Sequence, residues 1–115
     1  MSSPCLFCRI IRKEIPASIV YEDEHVLAFN DINPQAPLHA LVIPKRHIES
    51  LNALAPEDDA LVGELARRAA AIARDKGFAE RGFRTVFNTN AEAGQTVFHI
   101  HLHVLAGRGL TWPPG

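Results

Sequence analysis

The most regular pattern of apolar and polar residues lies in the second half of the chain, where an apolar stripe repeats at helical spacing. The stripe consists of Leu61, Val62, Leu65, Ala69, Ile72 and Ala73. Pro56 suits the first position of a helix, the acidic residues 57–59 suit its positive N-terminal end, and Gly77 suits the position just past its C-terminal end. The pattern predicts one long helix whose stripe faces the core or a partner, with the core favoured.

Shorter apolar runs predict a second helix and five strands. Residues 6–13 have apolar positions at helical spacing and precede Pro16, which is typical of a short helix. Strands are predicted for residues 18–21, 25–30, 39–44, 83–88 and 97–105. The polar residues 22–24 form the turn of a hairpin, and two prolines within residues 31–37 indicate a loop. Strands joined mostly by turns, with one long helix among them, predict an α+β fold with an antiparallel sheet of about five strands.

Three histidines, His99, His101 and His103, occupy alternate positions of the last predicted strand. Successive side chains of a strand point to opposite faces, so the three imidazoles share one face and the apolar residues between them share the other. Burying three imidazoles requires many hydrogen-bond partners, which favours a functional site over a structural one. The row can bind a transition metal, or one imidazole can act as a nucleophile while its neighbours stabilise developing negative charge.

Hydrogen-bond donors come just before the histidines. Residues 93–96 form a small-residue turn in which Gly94 leaves backbone N–H groups open to an anion, and Gln95 and Thr96 add side-chain donors. Asn88 ends the preceding predicted strand and can direct its amide to the same point. Donors of this kind suit a phosphoryl group better than a metal-bound water.

Size and charge restrict the classes of protein that fit. A chain of 115 residues with 47% hydrophobic residues can bury one core, so residues 1–115 are expected to form a single domain. Twelve Lys and Arg nearly balance thirteen Asp and Glu, which gives no support for nucleic-acid or anionic-membrane binding. The first residues lack the order of a secretory signal, and no apolar run is long enough to cross a bilayer. We therefore expect a soluble, cytoplasmic protein.

Two cysteines, Cys5 and Cys8, have the spacing C-x-x-C. In a reducing compartment this spacing indicates a metal site or a redox pair. A redox pair is expected between a strand and a helix, and nothing strand-like precedes Cys5, so a metal site is favoured over a redox pair. The pair alone leaves two unremarkable thiols near the N-terminus as an equal alternative.

Taken together, these motifs resemble a known family. Residues 99–105 have the form His-φ-His-φ-His-φ-φ, where φ is apolar, and this form is similar to the motif that names the histidine triad (HIT) superfamily of nucleotide hydrolases and transferases. The segments CLFCRIIRKEIPA, AFNDINPQAPLHALVIPKRHI and GQTVFHIHLHVLAGRGLTWPPG extend the resemblance over nearly the whole chain. The closing Trp-Pro-Pro-Gly and the third histidine resemble the Hint branch, the histidine triad nucleotide-binding proteins. The resemblance implies a single HIT domain over residues 1–115.

The resemblance also implies roles for individual residues. His101 is similar to the nucleophile that attacks the α-phosphorus and forms a nucleotidyl-histidine, which water then hydrolyses. His103 is similar to the neighbour that contacts the phosphate and helps the leaving group, and His39 to a supporting histidine. Asp31 is similar to the carboxylate that accepts both ribose hydroxyls, and His99 to a further member of the catalytic network.

The remaining site residues implied by the resemblance fall into two groups. The apolar slot for the purine would consist of Leu6, Phe7, Ile10, Phe29 and Ile32. The surroundings of the phosphate would consist of Asn88, Gly94, Gln95, Thr96 and Val97. For Leu6 and Ile10 a plain core position fits equally well.

Two functions fit these roles. The first is an enzyme, a purine nucleoside phosphoramidase that cleaves the P–N bond of AMP-linked amines. The alternative is a purine-nucleotide-binding regulatory or scaffolding protein whose hydrolysis is incidental. The complete row of histidines, together with Asp31, Asn88 and Thr96, favours the enzyme.

The resemblance further implies a homodimer and a zinc ion. The long helix and the strand after Gly77 resemble the surface through which the family pairs, with Trp112 expected close to the substrate cleft of the partner. Relatives that keep the C-x-x-C resemble zinc proteins whose ligands correspond to Cys5, Cys8, His47 and His99. Two thiolates and two imidazoles form a closed tetrahedral site, which stabilises structure and leaves no position for catalysis.

Overall fold

A computed structural model describes residues 5–115, and its centre is a five-stranded antiparallel sheet. The elements in chain order are α1 (Leu6–Ile11), β1 (Ile19–Glu22), β2 (Val26–Asn30), β3 (Leu38–Pro44), α2 (Asp59–Asp75), β4 (Phe83–Phe87) and β5 (Leu102–Ala106). The strands lie in the order β1-β2-β3-β5-β4, so β5, the strand that carries His103, is next to β3 inside the sheet. The predicted α+β class, the antiparallel sheet, the long helix and the short N-terminal helix are confirmed.

The long helix α2 packs its stripe against one face of the sheet. Leu65, Ala69, Ile72 and Ala73 are buried there, whereas Leu61 and Val62, nearer the start of the helix, are only half-buried. A 3₁₀ turn at Pro56–Asp58 precedes the α-helix, so the predicted start at Pro56 belongs to this turn and α2 itself begins at Asp59. Within the described residues, no helix is long and apolar enough to span a membrane.

The two faces of the sheet have different partners. On the face under α2, Leu102 and Val104 of β5 join the core with residues of β2 and β3. On the opposite face, Phe7 and Ile10 of α1 pack on β2 and β3. Leu41 of β3 pairs with His103 of β5 on this second face, which places the third histidine beside α1. The sheet therefore has an apolar cluster on each face, and His103 lies on the face of the cluster that contains α1.

The last strand is shorter than its sequence predicts. Residues 97–101 were expected in the strand, but β5 begins at Leu102, and His99 and His101 lie in irregular backbone before it. The ladder with β3 stops because Pro44, at the end of β3, has no N–H to donate. The N–H of Ile100 instead donates to the carbonyl of Ile48, at 2.6 Å. The prediction that the three histidines share one strand face is therefore wrong, because only His103 lies in β5.

Candidate functional site

A cleft of about 490 Å³ opens on the sheet face that carries α1. Its apolar end is formed by α1 and β2, and its polar end by β5 and the turn before it. The predicted site residues that line it are Leu6, Phe7, Ile10, Phe29, Asp31, Ile32, Asn88, Gly94, Thr96, Val97, His101 and His103. Ile32 is almost fully exposed and lies at the rim. The residues that sequence reasoning missed are Ile15, Pro16, Ala17, Asn30 and Leu41.

Two signals could have identified part of this missed set. Leu41 is two residues after His39 in the same predicted strand, so it shares a face with a predicted site residue. Residues 15–17 follow the short helix that supplies Phe7 and Ile10 after an interval of three residues. In the sequence, Pro16 indicates only that the helix has ended.

A hydrogen bond to the backbone fixes the tautomer of His101. Its Nδ1–H donates to the carbonyl of His99 at 2.8 Å, so Nε2 carries the lone pair. The ring of Phe7 contacts the imidazole edge-on, with the ring centroids 5.1 Å apart. Burial lowers the pKa of His101 below its usual range. A neutral imidazole with a fixed tautomer at the wall of a cleft is suited to nucleophilic attack.

His103 and His39 form a short hydrogen-bonded chain. The backbone N–H of Gln35 donates to Nδ1 of His39 at 3.0 Å, so the proton of neutral His39 is on Nε2. That Nε2–H donates to Nδ1 of His103 at 2.9 Å, which leaves the proton of neutral His103 on its own Nε2. Burial is the main cause that lowers the pKa of His103 to about 4. Burial also lowers the pKa of His39, so that both imidazoles are neutral near pH 7. His39 therefore orients His103, which lines the cleft, through this hydrogen bond.

Asp31 presents a carboxylate to the cleft from the loop that follows β2. Its Oδ1 accepts the backbone N–H of Asn33 at 2.8 Å, which fixes the side-chain rotamer. Its Oδ2 lies 3.4 Å from Nε2 of His39. Each carboxylate oxygen has two acceptor sites, so acceptor capacity remains for a ligand with two adjacent hydroxyls.

Gln95 stabilises the turn before the histidines and is not among the residues that line the cleft. Its Nε2 donates to the carbonyl of Glu49 at 2.8 Å and to that of Val97 at 3.1 Å. Its Oε1 accepts the N–H of Asn90 at 2.9 Å. This buried amide holds the turn whose Gly94, with φ of 84°, and Thr96 face the cleft.

His99 lies away from the cleft, in a cluster with Cys5, Cys8 and His47 that we call the Cys2His2 cluster. Its Nε2–H donates to the carbonyl of Pro44 at 2.7 Å, so Nδ1 carries the lone pair. This Nδ1 is 3.5 Å from Sγ of Cys5, 3.6 Å from Sγ of Cys8 and 3.3 Å from Nδ1 of His47. Sγ of Cys8 is 3.3 Å from Nδ1 of His47.

These distances fit a tetrahedral zinc ion. Zinc bonds of roughly 2.05 Å to nitrogen and 2.3 Å to sulfur give tetrahedral edges of about 3.4 Å between two nitrogens and about 3.6 Å between nitrogen and sulfur. The four measured separations are 3.3 to 3.6 Å. Burial is the main cause that lowers the pKa of His99 to about 4, which keeps its imidazole neutral, as a ligand must be.

Asp31, His39 and His103 also have metal-ligating atoms within 4.8 Å of one another. Here the lone pair of His103 Nδ1 accepts a hydrogen bond from His39, at 2.9 Å. The lone pair that a metal would need is thus engaged in the hydrogen-bonded chain. The arrangement fixes the positions of the imidazole protons and does not favour metal binding.

Trp112 is a predicted binding residue that does not line the cleft of its own chain. Its side chain is 82% exposed, and it is not among the residues that line the cleft. The backbone just before it is held to the edge strand β4, because Arg84 donates to the carbonyl of Thr111 at 2.9 Å.

Comparison with known proteins shows several to which this chain is similar. The family model described as the C-terminal binding region of the scavenger mRNA decapping enzyme matches residues 4–110. A purine nucleoside phosphoramidase of Escherichia coli is 47% identical over 110 residues, which cover 96% of this chain and 92% of that protein. An uncharacterized HIT-like protein of Synechocystis is 55% identical over the full length of both chains. The crystal structure of a HIT family hydrolase from Legionella pneumophila has a TM-score of 0.95 and 52% identity, covering 96% of this chain and 99% of that one.

Proposed function

The chain belongs to the histidine triad superfamily, and on this premise we propose that it is a purine nucleoside phosphoramidase, a hydrolase of nucleotides linked to amines through a P–N bond. The observation that carries the proposal is the position of His101. Its Nε2 lone pair is fixed at the wall of a cleft that is apolar at one end and rich in hydrogen-bond donors at the other.

The nucleoside is bound by the two ends of the cleft. The purine lies in the apolar end, between Phe7 and Ile10 of α1 and Phe29 of β2, all of which are buried. Asp31 accepts the two ribose hydroxyls through its remaining lone pairs. This placement brings the α-phosphate to the polar end, next to Thr96 and His101.

The first chemical step forms a covalent intermediate. The Nε2 lone pair of His101 attacks the α-phosphorus, and the P–N bond to the amine breaks with its electron pair going to the leaving nitrogen. The leaving nitrogen takes up the proton it requires from solvent, and neutral His103 assists by donating its Nε2–H as a hydrogen bond at the reacting phosphoryl group. The carbonyl of His99 stabilises the positive charge that forms on His101, because it accepts the Nδ1–H.

The second step regenerates the enzyme. Water attacks the phosphorus of the nucleotidyl-histidine, the N–P bond breaks, and Nε2 of His101 recovers its lone pair. One proton of the water is released to solvent, and the nucleoside monophosphate leaves. Donors of Asn88, the Gly94 turn and Thr96 stabilise the charge on the phosphoryl oxygens in both steps.

A substitution of the nucleophile tests the proposal. His101→Ala is expected to lower turnover of an adenosine phosphoramidate by at least about 10³-fold, because the covalent route is lost. The affinity for AMP should stay within about threefold, because the base and ribose contacts remain. His25→Ala, at an exposed histidine in the turn between β1 and β2, is the matched control.

The same assay separates the enzyme from a binding protein. AMP binding with no turnover by the unsubstituted chain would favour the nucleotide-binding alternative. Turnover that persists in His101→Ala would contradict the mechanism. Absence of both turnover and AMP binding would contradict both functions.

We also propose that the Cys2His2 cluster binds one structural zinc ion. When bound, the ion adds four strong protein bonds and no catalytic position, because all its ligands come from the chain. Protein purified without chelator is expected to contain about one zinc per chain by elemental analysis. Cys5→Ser combined with Cys8→Ser should remove the zinc and lower the melting temperature. A protein that never takes up zinc would contradict the proposal.

A further inference from the structure

We propose that metal occupancy of the Cys2His2 cluster sets the affinity of the cleft for the purine base, so that the cluster ligands are positioning residues for the nucleotide site. The inference rests on the proposed function, because it assumes that the apolar end of the cleft binds a purine. It goes beyond a metal that only stabilises the fold, since it predicts that the metal strengthens binding of the base more than binding of the ribose phosphate.

The first link is the helix α1, which carries metal ligands and base contacts together. Cys5 is its N-cap residue, and Sγ of Cys5 accepts the backbone N–H of Cys8 at 3.3 Å. Between these two ligands lie Leu6 and Phe7, and Ile10 follows one turn later, all of them lining the cleft. A displacement of the ligands therefore displaces the base contacts by a similar amount.

The second link is the weak independent support of α1. The helix has six residues, so its own hydrogen bonds contribute little stability. Two of its side chains, Phe7 and Ile10, are buried against the sheet, whereas Leu6 is 44% exposed. Bonds from Cys5 and Cys8 through a metal to His47 and His99 would attach the helix to the segments that follow β3 and precede β5.

The third link joins the cluster to the nucleophile. His99 offers its imidazole to the cluster, while its backbone carbonyl accepts the Nδ1–H of His101 at 2.8 Å. Phe7 contacts both rings, with centroids 6.0 Å from His99 and 5.1 Å from His101. The cluster thus contacts the base pocket through Phe7, and it contacts the nucleophile through this carbonyl and through the ring of Phe7.

These links predict different effects on the two ends of the ligand. The base contacts of α1 depend on the metal, whereas Asp31, Asn88, Gly94 and Thr96 belong to other segments. Loss of the metal should therefore weaken AMP, which has a base, more than ribose 5-phosphate, which has none. A coupling between sites is commonly 5- to 150-fold, and we expect AMP affinity to fall about tenfold and ribose 5-phosphate affinity to change less than about twofold.

The test is calorimetric titration of the full chain with AMP and with ribose 5-phosphate, in zinc-loaded and chelator-treated forms of measured zinc content. His47→Ala is the informative variant, because His47 is a cluster ligand that does not line the cleft. It should reproduce the effect of chelation, and His25→Ala should not. A zinc-free protein that binds AMP as well as the loaded form would overturn the inference, as would equal losses for both ligands. Failure of the zinc-loaded form to bind AMP at all would instead overturn the proposed function.

If the zinc-free chain does not fold, the reciprocal measurement decides. Coupling is symmetric, so AMP must raise zinc affinity by the factor by which zinc raises AMP affinity. Extraction of zinc by a chromogenic chelator is measured on the loaded protein with AMP or ribose 5-phosphate at equal site occupancy. We expect AMP to raise the apparent zinc affinity about tenfold and ribose 5-phosphate by less than about twofold. Equal protection by the two ligands would overturn the inference.

Discussion

At the scale of single residues, the hydrogen bond that one ring nitrogen of a histidine donates decides which ring nitrogen keeps the lone pair. His99 and His101 are two positions apart, yet one donates through Nε2 to Pro44 and the other through Nδ1 to a backbone carbonyl. The lone pair of His99 is therefore directed to the Cys2His2 cluster, and that of His101 is available at the cleft. Backbone carbonyls thus divide neighbouring histidines between a metal site and a nucleophilic role.

A pH titration tests the burial of His103. Its pKa is about 4 in the folded chain, against about 6.5 for an unperturbed histidine, so between these values the unfolded chain binds more protons. The free energy of unfolding must then fall as the pH falls from about 6.5 to about 4. Its slope against pH in this window should be smaller in His103→Gln, as measured by urea unfolding. Comparison with His25→Gln separates this effect from the removal of a histidine as such, and an unchanged slope in His103→Gln would contradict the pKa of His103.

The same scale shows where sequence reasoning about the site was limited. Spacing in the sequence could place His101 and His103 at a site, but it could not reveal that Pro44 ends the ladder before His99. Gln95 is a donor in both sequence and structure, yet its amide is engaged by three backbone groups, the carbonyls of Glu49 and Val97 and the N–H of Asn90. Glu49 belongs to a segment distant in sequence, and no local pattern records such a partner.

At the scale of elements, the strongest predictions came from repeated patterns and the weakest from element ends. The stripe of α2 has enough repeats to identify its core face, and four of its six members, Leu65, Ala69, Ile72 and Ala73, are buried as expected. The short helix was predicted to Lys13, but it ends at Ile11 because Lys13 has a positive φ of 63°. Such ends depend on the conformation of single residues, which apolar spacing does not determine.

The paired ends of β3 and β5 give a test at this scale. Gly107 follows β5 with φ of 100°, and a Cβ there would lie 2.8 Å from Cβ of Pro37, which precedes β3. Gly107→Ala is expected to lower the free energy of unfolding by about 2 to 4 kcal/mol, through backbone strain and overpacking together. Gly109→Ala is the control, because nothing lies within 4 Å of its Cβ position, and it should change stability by less than about 0.5 kcal/mol. Equal effects in denaturant unfolding would refute the close approach.

At the scale of the whole molecule, the sheet has an open edge. Among residues 5–115, β4 is the last strand in the order and pairs on one side only, with β5. Unpaired N–H and C=O groups of an edge strand are available to another chain. Leu61 and Val62 of α2 are half-buried, so they leave apolar surface exposed in the second half of the chain, which also contains β4. We propose that two copies pair here as a two-fold homodimer.

The C-terminal segment connects this edge to function. Arg84 of β4 binds the carbonyl of Thr111, and the exposed Trp112 follows it directly, so a partner at this edge would meet the indole. Truncation after Gly109 is therefore expected to change the relative kcat/KM for AMP-linked amines of different size at least about threefold. It should leave the melting temperature of the protein nearly unchanged, because Trp112 buries little surface in its own chain. Trp112→Ala, which keeps the backbone contact to Arg84, should reproduce the change in preference. Sedimentation should give twice the mass of one chain, and a monomer at micromolar concentration would refute the arrangement.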